Sequence, residues 1–273
     1  MSTQVTTAFV QQYAANVMML AQQKGSKLRD AVRVENVTGK QSFFDQIGAT
    51  AARRRTSRHS DTPRMDTPHA RRRCSLEDFD WADMIDQEDK VRMLIDPTST
   101  YAKSAANAMG RAMDEVIVDA IRGTSYTGET GSTAVTLPAG QKIAVGAAGL
   151  TLPKLISAKK LMDAADVDNE NRYIAVTSEQ LEDLLNNTTV TSADFNTVKS
   201  LVQGELETFL GFNFIRVDGL RIDGTKILPF ITGSDRACVA WQKDQVVLGI
   251  GAQPQARITE RADKNYATQV FYS

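Results

Sequence analysis

The sequence has few of the residues that build metal sites, disulfide frameworks or membrane spans. Its 273 residues include only two cysteines and two histidines. Cys74 and Cys238 lie far apart and lack CxxC spacing, which indicates free thiols in a reducing compartment. No run approaches 18 consecutive apolar residues, so no transmembrane helix is expected. The first residues carry no basic region ahead of an apolar one and are therefore not typical of a secretory signal.

The chain also has little net charge. Its formal charge is −1, although 24% of the residues are charged and 42% are hydrophobic. This composition is typical of a globular protein. A dedicated nucleic-acid-binding protein depends on a surplus of Lys and Arg, which this chain lacks.

One segment nevertheless concentrates positive charge. The stretch RRRTSRHSDTPRMDTPHARRR, residues 53–73, contains eight arginines and both histidines. Two prolines, several Ser and Thr residues and almost no large apolar residues predict a long exposed loop. Its arginines, taken as candidates for contacts between subunits, are Arg53, Arg54, Arg55, Arg58, Arg64, Arg71, Arg72 and Arg73.

The next segment carries the opposite charge. Residues 51–74 have eight arginines against two aspartates, a net charge of +6, whereas residues 75–96 have eight acids against two bases, a net charge of −6. Apolar residues alternate with acidic ones in CSLEDFDWADMIDQEDK, which predicts a second extended arm. Residues 31–95 are therefore expected to form a long two-stranded projection. The candidate contact residues of this arm are Glu77, Asp78, Phe79, Asp80, Trp81, Asp83, Asp86, Glu88 and Asp89.

A rigid hairpin cannot fold its basic tip back onto its own acidic base. Head-to-tail pairing between copies of the chain would satisfy both charges. Phe79 and Trp81 are expected to anchor the arm, because buried aromatic side chains contribute strongly to interfaces.

Catalytic and metal-binding chemistry finds little support. His59 and His69 lie ten residues apart on a proline-containing loop, without the i, i+4 spacing of a helical metal site. GTSYTG misses the nucleophile-elbow pattern, and no histidine outside the loop is available as a base. Nucleic-acid binding by residues 53–73 stays an alternative. The neutral total charge and the lack of aromatic residues among the arginines count against it.

The remaining sequence predicts a long helix followed by an α/β unit. Residues 96–123 begin with Asp96 and Pro97, typical of a helix start, and end at Gly123. A Gly-rich connection with a short strand pair follows. The unit from 151 onwards has a helix, the strand RYIAV (172–176), a capping box at Thr177 and Gln180, one or two helices in 192–210 and the strand FNFIRV (212–217). A hairpin is predicted around Lys243 and Asp244. Residues 5–23 have weak helical periodicity.

This order of parts resembles the major capsid proteins of tailed bacteriophages, which have the HK97-like fold. The stretches FVQQYAANVMMLAQQKGSKLRDAV, FFDQIGATAARRRTSRHSDTP, RRRCSLEDFDWADMIDQEDKVRMLIDPTSTY, GRAMDEVIVDAIRG, YTGETGSTAV and FNTVKSLVQGELETFLGFNF look like those of a podophage-type capsid family. The resemblance implies an α+β fold with five parts: an N-terminal arm (1–30), an E-loop (31–95), a P domain (96–150) with its spine helix (96–123), an A domain (151–235) and a return to the P domain (236–273).

The resemblance also implies a function. Such proteins have no enzymatic activity and no cofactor, and they self-assemble into hexamers and pentamers of an icosahedral shell around packaged double-stranded DNA. The implied partners are a separate scaffolding protein, a portal protein at one vertex, a decoration protein and the DNA, which is contacted non-specifically; no membrane is implied. The implied location is the virion, with assembly in the host cytoplasm.

Two features of the termini differ from the expected pattern. The sequence starts near its N-terminal arm, which is why scaffolding is expected from a separate protein. It ends at NYATQVFYS, where one more P-domain strand is expected.

Overall fold

The computed structural model describes residues 22–59, 61–62, 64–86, 98–146, 148–185, 208–233, 235–253 and 255–273. They form an α+β fold, as predicted. The α-helices are α1 (Thr98–Arg122), α2 (Leu152–Ala164) and α3 (Ser178–Leu185). The strands are β1 (Arg33–Asn36), β2 (Gln41–Ile47), β3 (His69–Ser75), β4 (Trp81–Ile85), β5 (Thr124–Thr127), β6 (Thr133–Thr136), β7 (Arg172–Val176), β8 (Thr208–Phe209), β9 (Phe212–Arg216), β10 (Phe230–Thr232), β11 (Asp235–Arg236), β12 (Val239–Gln242), β13 (Val247–Ile250), β14 (Ala256–Arg261) and β15 (Ala267–Tyr272).

The chain divides into two compact units. The first consists of Met1–Ser26, Asp78–Ala112 and Gln253–Ser273, and the second of Lys27–Glu77 and Met113–Ala252. Helix α1 contributes residues to both. Within the part of the chain described, no helix is long and apolar enough to cross a membrane.

Helix α1 confirms the long helix predicted from the sequence. It runs for 25 residues and ends where expected, with the N–H of Gly123 donating to the carbonyl of Asp119 at 2.7 Å. The predicted starting residues Asp96 and Pro97 lie outside the described residues. Ile117 and Val118 of this helix are buried in the core of the second unit.

A mixed four-stranded sheet, of order β12-β7-β9-β8, forms the centre of the second unit. Strand β7 runs antiparallel to β12 and parallel to β9. Its side chains alternate between two cores, as the period of a strand requires. Ala175 packs on the side of α1, together with Val217 and Trp241.

The opposite side of this sheet is covered by α2 and α3. Ile174 and Val176 of β7 pack there against Leu155 of α2 and Leu184 of α3. One of the two hydrogen bonds of the capping box predicted before α3 is present: the backbone N–H of Thr177 donates to the Gln180 side chain at 2.9 Å. The strands predicted at 172–176 and 212–217 are confirmed as β7 and β9. Of the segments predicted to be helical, 5–23 and 192–210, residues 5–21 and 192–207 lie outside the described residues. The described end of the second segment is not helical, because Thr208–Phe209 form β8.

A long antiparallel hairpin, β2–β3, is the two-stranded projection of the second unit. Its register runs from Gln41 opposite Ser75 to Ile47 opposite His69, and β5 and β6 extend it into a four-stranded sheet. The loop expected over 53–73 therefore ends at Pro68, because residues 69–75 form a strand.

The acidic segment does not supply a strand of this hairpin, and that prediction was wrong. Strand β4, which begins at Trp81, pairs with β15 in the three-stranded sheet β14-β15-β4 of the first unit. Alternation in the sequence identified the strand correctly but contained no information about its partner. Three of the six residues of β15 are buried, with Val270 fully so, and the buried Ile85 of β4 lies opposite the buried Thr268 of β15.

The hairpin predicted around Lys243 and Asp244 was also wrong. Strand β12 pairs with β7, whereas β13 runs parallel to β1. A short 3-10 turn, Lys243–Gln245, joins them, and the Gln242 side chain accepts a hydrogen bond from the backbone N–H of Asp244. This turn directs the two strands into different sheets.

Candidate subunit-contact surfaces

The residues between β2 and β3, 48–68, form a basic tip at the end of the hairpin. The N–H of Gly48 donates to the carbonyl of Pro68 at 2.8 Å and closes its base. The tip is exposed throughout its described residues. It carries five of the eight arginines predicted to make contacts: Arg53, Arg54, Arg55, Arg58 and Arg64.

The arginines of the tip are weakly engaged within the chain. Arg64 lies 3.7 Å from Asp66, with both side chains more than 90% exposed. Arg55 donates through Nε to the carbonyl of Ser57 at 3.0 Å. Arg53 and Arg54, like Arg58, form no ion pair with any carboxylate in the part of the chain described. The tip therefore presents positive charge that its own neighbourhood leaves uncompensated.

The other three arginines support the sheet at the base of the hairpin. Arg71 binds Asp45 on the facing strand with two hydrogen bonds, Nε to Oδ1 at 2.6 Å and Nη2 to Oδ2 at 3.2 Å. The side-chain hydrogen bonds from Arg71 hold the pKa of the Asp45 carboxyl below its ordinary value. The Arg71 guanidinium also lies 5.6 Å from the centroid of the Phe43 ring.

Arg72 and Arg73 connect the hairpin to β5. Arg72 donates through Nη1 to the hydroxyl of Ser125 at 2.8 Å. The guanidinium of Arg73 lies 4.4 Å from the centroid of the Tyr126 ring, in cation–π geometry. In the sequence these residues belong to the same cluster as the tip arginines, but a large part of their interaction is intramolecular.

The acidic segment, residues 77–89, exposes Glu77, Asp78, Asp80 and Asp86. None of these four forms an ion pair with a described residue. Phe79 and Trp81 are half-buried, and Trp81 lies opposite Tyr272 in the sheet. Asp83, also half-buried, accepts a hydrogen bond from the N–H of Met84 at 2.8 Å. Glu88 and Asp89 lie outside the described residues.

Helix α1 carries a row of polar residues that was not predicted from the sequence. Asp114 is fully buried, and its carboxylate accepts hydrogen bonds from the backbone N–H groups of Lys27 and Leu28 at 3.0–3.1 Å. Two turns earlier, Asn107 accepts from the N–H of Gly25 at 3.1 Å. Asn107, Arg111 and Asp114 recur at spacings of four and three residues. This pattern places them on one side of a helix and was visible in the sequence.

The described residues show no arrangement for metal or thiol chemistry. No three His, Cys, Asp or Glu side chains among them are grouped to hold a metal ion. His59 lies in the basic tip and His69 begins β3. Burial raises the pKa of Cys238 to about 12 and raises that of Cys74, so both thiols stay protonated at neutral pH.

Comparison with known proteins places this fold among viral shells. The capsid of cyanophage P-SCSP1u matches with a TM-score of 0.70 at 19% identity, covering 98% of this chain and 88% of that one. The acid-stable capsid of the Helicobacter pylori bacteriophage KHP30 matches with a TM-score of 0.69 at 12% identity, covering 99% and 87%. The capsid of Ralstonia phage GP4 matches with a TM-score of 0.68 at 11% identity, covering 97% and 89%.

These likenesses establish the HK97-like fold that the sequence suggested. The resemblance to podophage capsids in particular stays a prediction. No curated protein sequence matches the chain. The sequence profile described as "Phage capsid protein" matches residues 5–273, nearly the whole chain, and the chain therefore belongs to this family of capsid proteins.

Proposed function

We propose that this chain is the major capsid subunit of a tailed bacteriophage. It self-assembles into hexamers and pentamers, which form an icosahedral head shell around packaged double-stranded DNA. The observation that carries this proposal is the match of the phage capsid profile to residues 5–273. The role is structural, without catalysis or a cofactor.

The proposal includes the division of the chain and its partners suggested by the resemblance. Residues 1–30 act as the N-terminal arm, 31–95 as the E-loop, 96–150 and 236–273 as the P domain and 151–235 as the A domain. A separate scaffolding protein and a portal protein assist assembly in the host cytoplasm, and a decoration protein is a further candidate partner of the finished virion.

The basic tip and the acidic segment serve in this proposal as contact surfaces between copies. The support is electrostatic: Arg53, Arg54 and Arg58 lack a described carboxylate partner, and the exposed Asp78 and Asp80 form no ion pair with a described residue. Opposite charges on two copies increase the rate of encounter and fix their register. Arg71–Arg73 position the hairpin that carries the tip, and Phe79 and Trp81 position the acidic segment.

Electron microscopy of the purified chain tests the function. We expect shells, capsomers or tubes in negative stain. A stable monomer that shifts labelled DNA in a gel would overturn the proposal and would favour nucleic-acid binding by residues 53–73.

Charge reversal at the tip tests the contact surface. The triple change Arg53→Glu, Arg54→Glu and Arg58→Glu is expected to abolish assembly while the subunit stays folded. Because these side chains are exposed, the melting temperature should change by no more than about 2 °C. Normal shells from this variant would show that the tip makes no essential contact. Changes at Arg71–Arg73 are less informative, because they also remove the contacts with Asp45, Ser125 and Tyr126.

A further inference from the structure

The three-stranded sheet of the first unit has a long and regular edge strand. The order of this sheet is β14-β15-β4, so β14 and β4 lie at its edges. The ladder between β14 and β15 runs from Ala256 opposite Tyr272 to Arg261 opposite Ala267 without a bulge. A regular edge strand that is exposed is a template for pairing with a strand of another chain.

The hydrogen-bond pattern shows which residues of β14 point outward. Just before the strand, Gln255 exchanges two backbone hydrogen bonds with Ser273, at 2.8 and 3.2 Å. Pairs of this kind alternate along an antiparallel ladder, so every second residue from Gln255 onwards bonds to β15. The residues between them direct their N–H and C=O groups away from β15; they are Ala256, Ile258 and Glu260. No hydrogen bond from another described residue reaches these groups.

The side chains of β14 are exposed on both faces of the sheet. Successive side chains of a strand alternate between the faces, and all five residues from Ala256 to Glu260 are exposed. Ile258, 55% exposed, lies opposite the fully buried Val270 of β15. Because opposite residues of a ladder point to the same face, Ile258 continues the row that Val270 begins. A further strand beside β14 would therefore cover the exposed part of Ile258.

The turn of the β14–β15 hairpin holds the edge in place. Arg261 donates to both carboxylate oxygens of Asp263 at 2.8 Å and to the Gln269 side chain at 3.0 Å. The backbone N–H of Lys264 donates to the carbonyl of Arg261 at 3.1 Å. The edge is therefore ordered before a partner arrives, which lowers the entropic cost of binding.

The opposite edge of the sheet, β4, is partly blocked by its own side chains. Gln269 bonds to β14, so Met84, which lies opposite it on β4, directs its N–H away from the sheet. The Asp83 carboxylate accepts a hydrogen bond from this N–H at 2.8 Å. The described residues place no such acceptor on β14, which is therefore the edge to which a partner strand fits.

Strand β14 can pair with β14 of a second copy in a favourable register. In an antiparallel pair, outward residues must lie opposite outward residues. This condition is met when Ile258 lies opposite Ile258 of the second copy. Ala256 then lies opposite Glu260, and Arg257 lies opposite Thr259. All outward backbone groups of the strand gain a partner, and no two like charges are directly opposed.

The neighbouring registers oppose like charges. A shift in one direction places Arg257 opposite Arg257 of the second copy. A shift in the other direction places Arg257 opposite Arg261 at both ends of the ladder. Like charges directly opposite each other destabilise a strand pair. Larger shifts leave half of the strand or more without a partner, so charge and length together select the register centred on Ile258.

We propose that β14 of one copy pairs antiparallel with β14 of a second copy across a two-fold axis, which joins their two three-stranded sheets into one. The pairing forms about six backbone hydrogen bonds, two at each pair of outward residues. The contact is isologous, because the same surface serves both copies. Rings of five or six copies close through heterologous contacts, so in the proposed shell this pairing links one ring to the next; that step alone rests on the proposed function.

Cysteine crosslinking tests the pairing and its register. In Ile258→Cys, two thiols would lie opposite each other with their Cα atoms about 5.5 Å apart, a separation that a disulfide spans. Thr259→Cys is the matched control on the same strand, because its two copies would be about 7–8 Å apart, which is too far. The wild type controls for Cys74 and Cys238. The soluble chains are treated with oxidised glutathione, and covalent dimers are measured on non-reducing gels.

We expect Ile258→Cys to form covalent dimers at least tenfold faster than Thr259→Cys and the wild type. The absence of a dimer from Ile258→Cys would overturn the inference. A rate for Thr259→Cys that equals or exceeds that of Ile258→Cys would also overturn it, because the strands would then pair in another register or meet only by chance.

A charge at the two-fold axis provides a second test. Ile258→Lys would place two like charges opposite each other, so the concentration at which copies associate should rise at least tenfold in sedimentation velocity. Ile222→Lys is the control, because Ile222 is 72% exposed and lies outside this sheet. Circular dichroism checks folding; if Ile258→Lys is unfolded, the crosslinking result decides.

The two proposals fail in different ways. Shells that form equally well from Ile258→Lys, Ile222→Lys and the wild type would overturn the strand pairing and leave the proposed function intact. Covalent dimers of Ile258→Cys from a chain that never forms shells or capsomers would support the strand pairing and overturn the proposed function.

Discussion

At the scale of single residues, the surroundings of each arginine decide what it does. Arg172 and Arg236 are nearly inaccessible and bind acids and carbonyls of their own chain, as a buried guanidinium must. Arg53 and Arg54 extend from the basic tip with no described carboxylate. Composition does not distinguish these four arginines. Their burial does: the buried ones stabilise the fold, whereas the exposed ones are accessible to another molecule.

The pair Arg261–Asp263 gives a prediction at this scale. It lies at the β14–β15 turn, where Arg261 donates to both Asp263 oxygens at 2.8 Å. These hydrogen bonds lower the pKa of Asp263 to about 2. The pair therefore contributes its stability above the ordinary carboxyl pKa of about 4, and this contribution is lost as the pH falls from there to about 2.

An NMR titration of the Asp263 carboxyl carbon measures this directly. In the native subunit we expect the Asp263 carboxyl to titrate with a midpoint of about 2. In the Arg261→Gln variant the midpoint should return towards the ordinary carboxyl pKa of about 4. A native midpoint near 4 would show that the two side chains do not interact in solution.

At the scale of elements, the close approach between α1 and the chain before β1 depends on a glycine. A Cβ atom at Gly110 would lie 2.2 Å from the carbonyl carbon of Gly25 and 2.4 Å from the nitrogen of Ser26. Both contacts are with backbone atoms, which cannot move as a flexible side chain can. Helix propensity alone favours alanine over glycine by about 1 kcal/mol, so the clash and the propensity act in opposite directions.

We predict that the clash dominates in Gly110→Ala. The free energy of unfolding should fall by about 1–3 kcal/mol, the usual cost of overpacking. Gly140→Ala is the control, because a Cβ there has no atom within 4 Å. Chemical denaturation of the soluble subunit measures both, and a more stable Gly110→Ala variant would show that the chain near Gly25 moves away without cost.

Elements with strong local signals were predictable from the sequence. The end of α1 at Gly123 and the cap of α3 at Thr177 follow from residues that act on their own neighbourhood. Strand pairing was not predictable, because it depends on surfaces made by distant residues. Strand β4 joins β15, nearly 190 positions later, and β13 joins β1. The helical spacing of Asp114 was visible in the sequence, but its partners were not, because the N–H groups of Lys27 and Leu28 are distant in sequence.

Prediction of the candidate contact residues was limited in the same way, by partners that are distant in sequence. The sequence identified the basic and acidic segments, but it grouped Arg71–Arg73 with the tip because it contained no sign that Asp45 and Tyr126 would face them. The exposed apolar residues Ile222 and Ile231 gave no signal either. Ile222 and Ile231 resemble buried residues in the sequence, and only the structure shows that their neighbours Ile227 and Leu228 fill the core instead.

At the scale of the whole molecule, the charge is balanced in total but separated along the chain. The net charge is −1, while residues 51–74 and 75–96 carry +6 and −6. Such a molecule has little overall repulsion from its copies and strong local attraction between unlike segments. Assembly driven in this way must depend on ionic strength, because exposed pairs are screened by salt.

The concentration at which the subunit assembles should therefore rise with sodium chloride. Each exposed ion pair contributes up to about 1 kcal/mol, so the loss of two or three pairs raises this concentration by roughly tenfold or more. Light scattering at a series of subunit concentrations measures it between about 0.05 and 1 M salt, over which the screening length falls to about 3 Å. The neutral variant Arg53→Gln, Arg54→Gln and Arg58→Gln should assemble less readily and with a shallower salt dependence. If salt leaves the assembly of the wild type unchanged or strengthens it, apolar burial rather than charge pairing holds the subunits together.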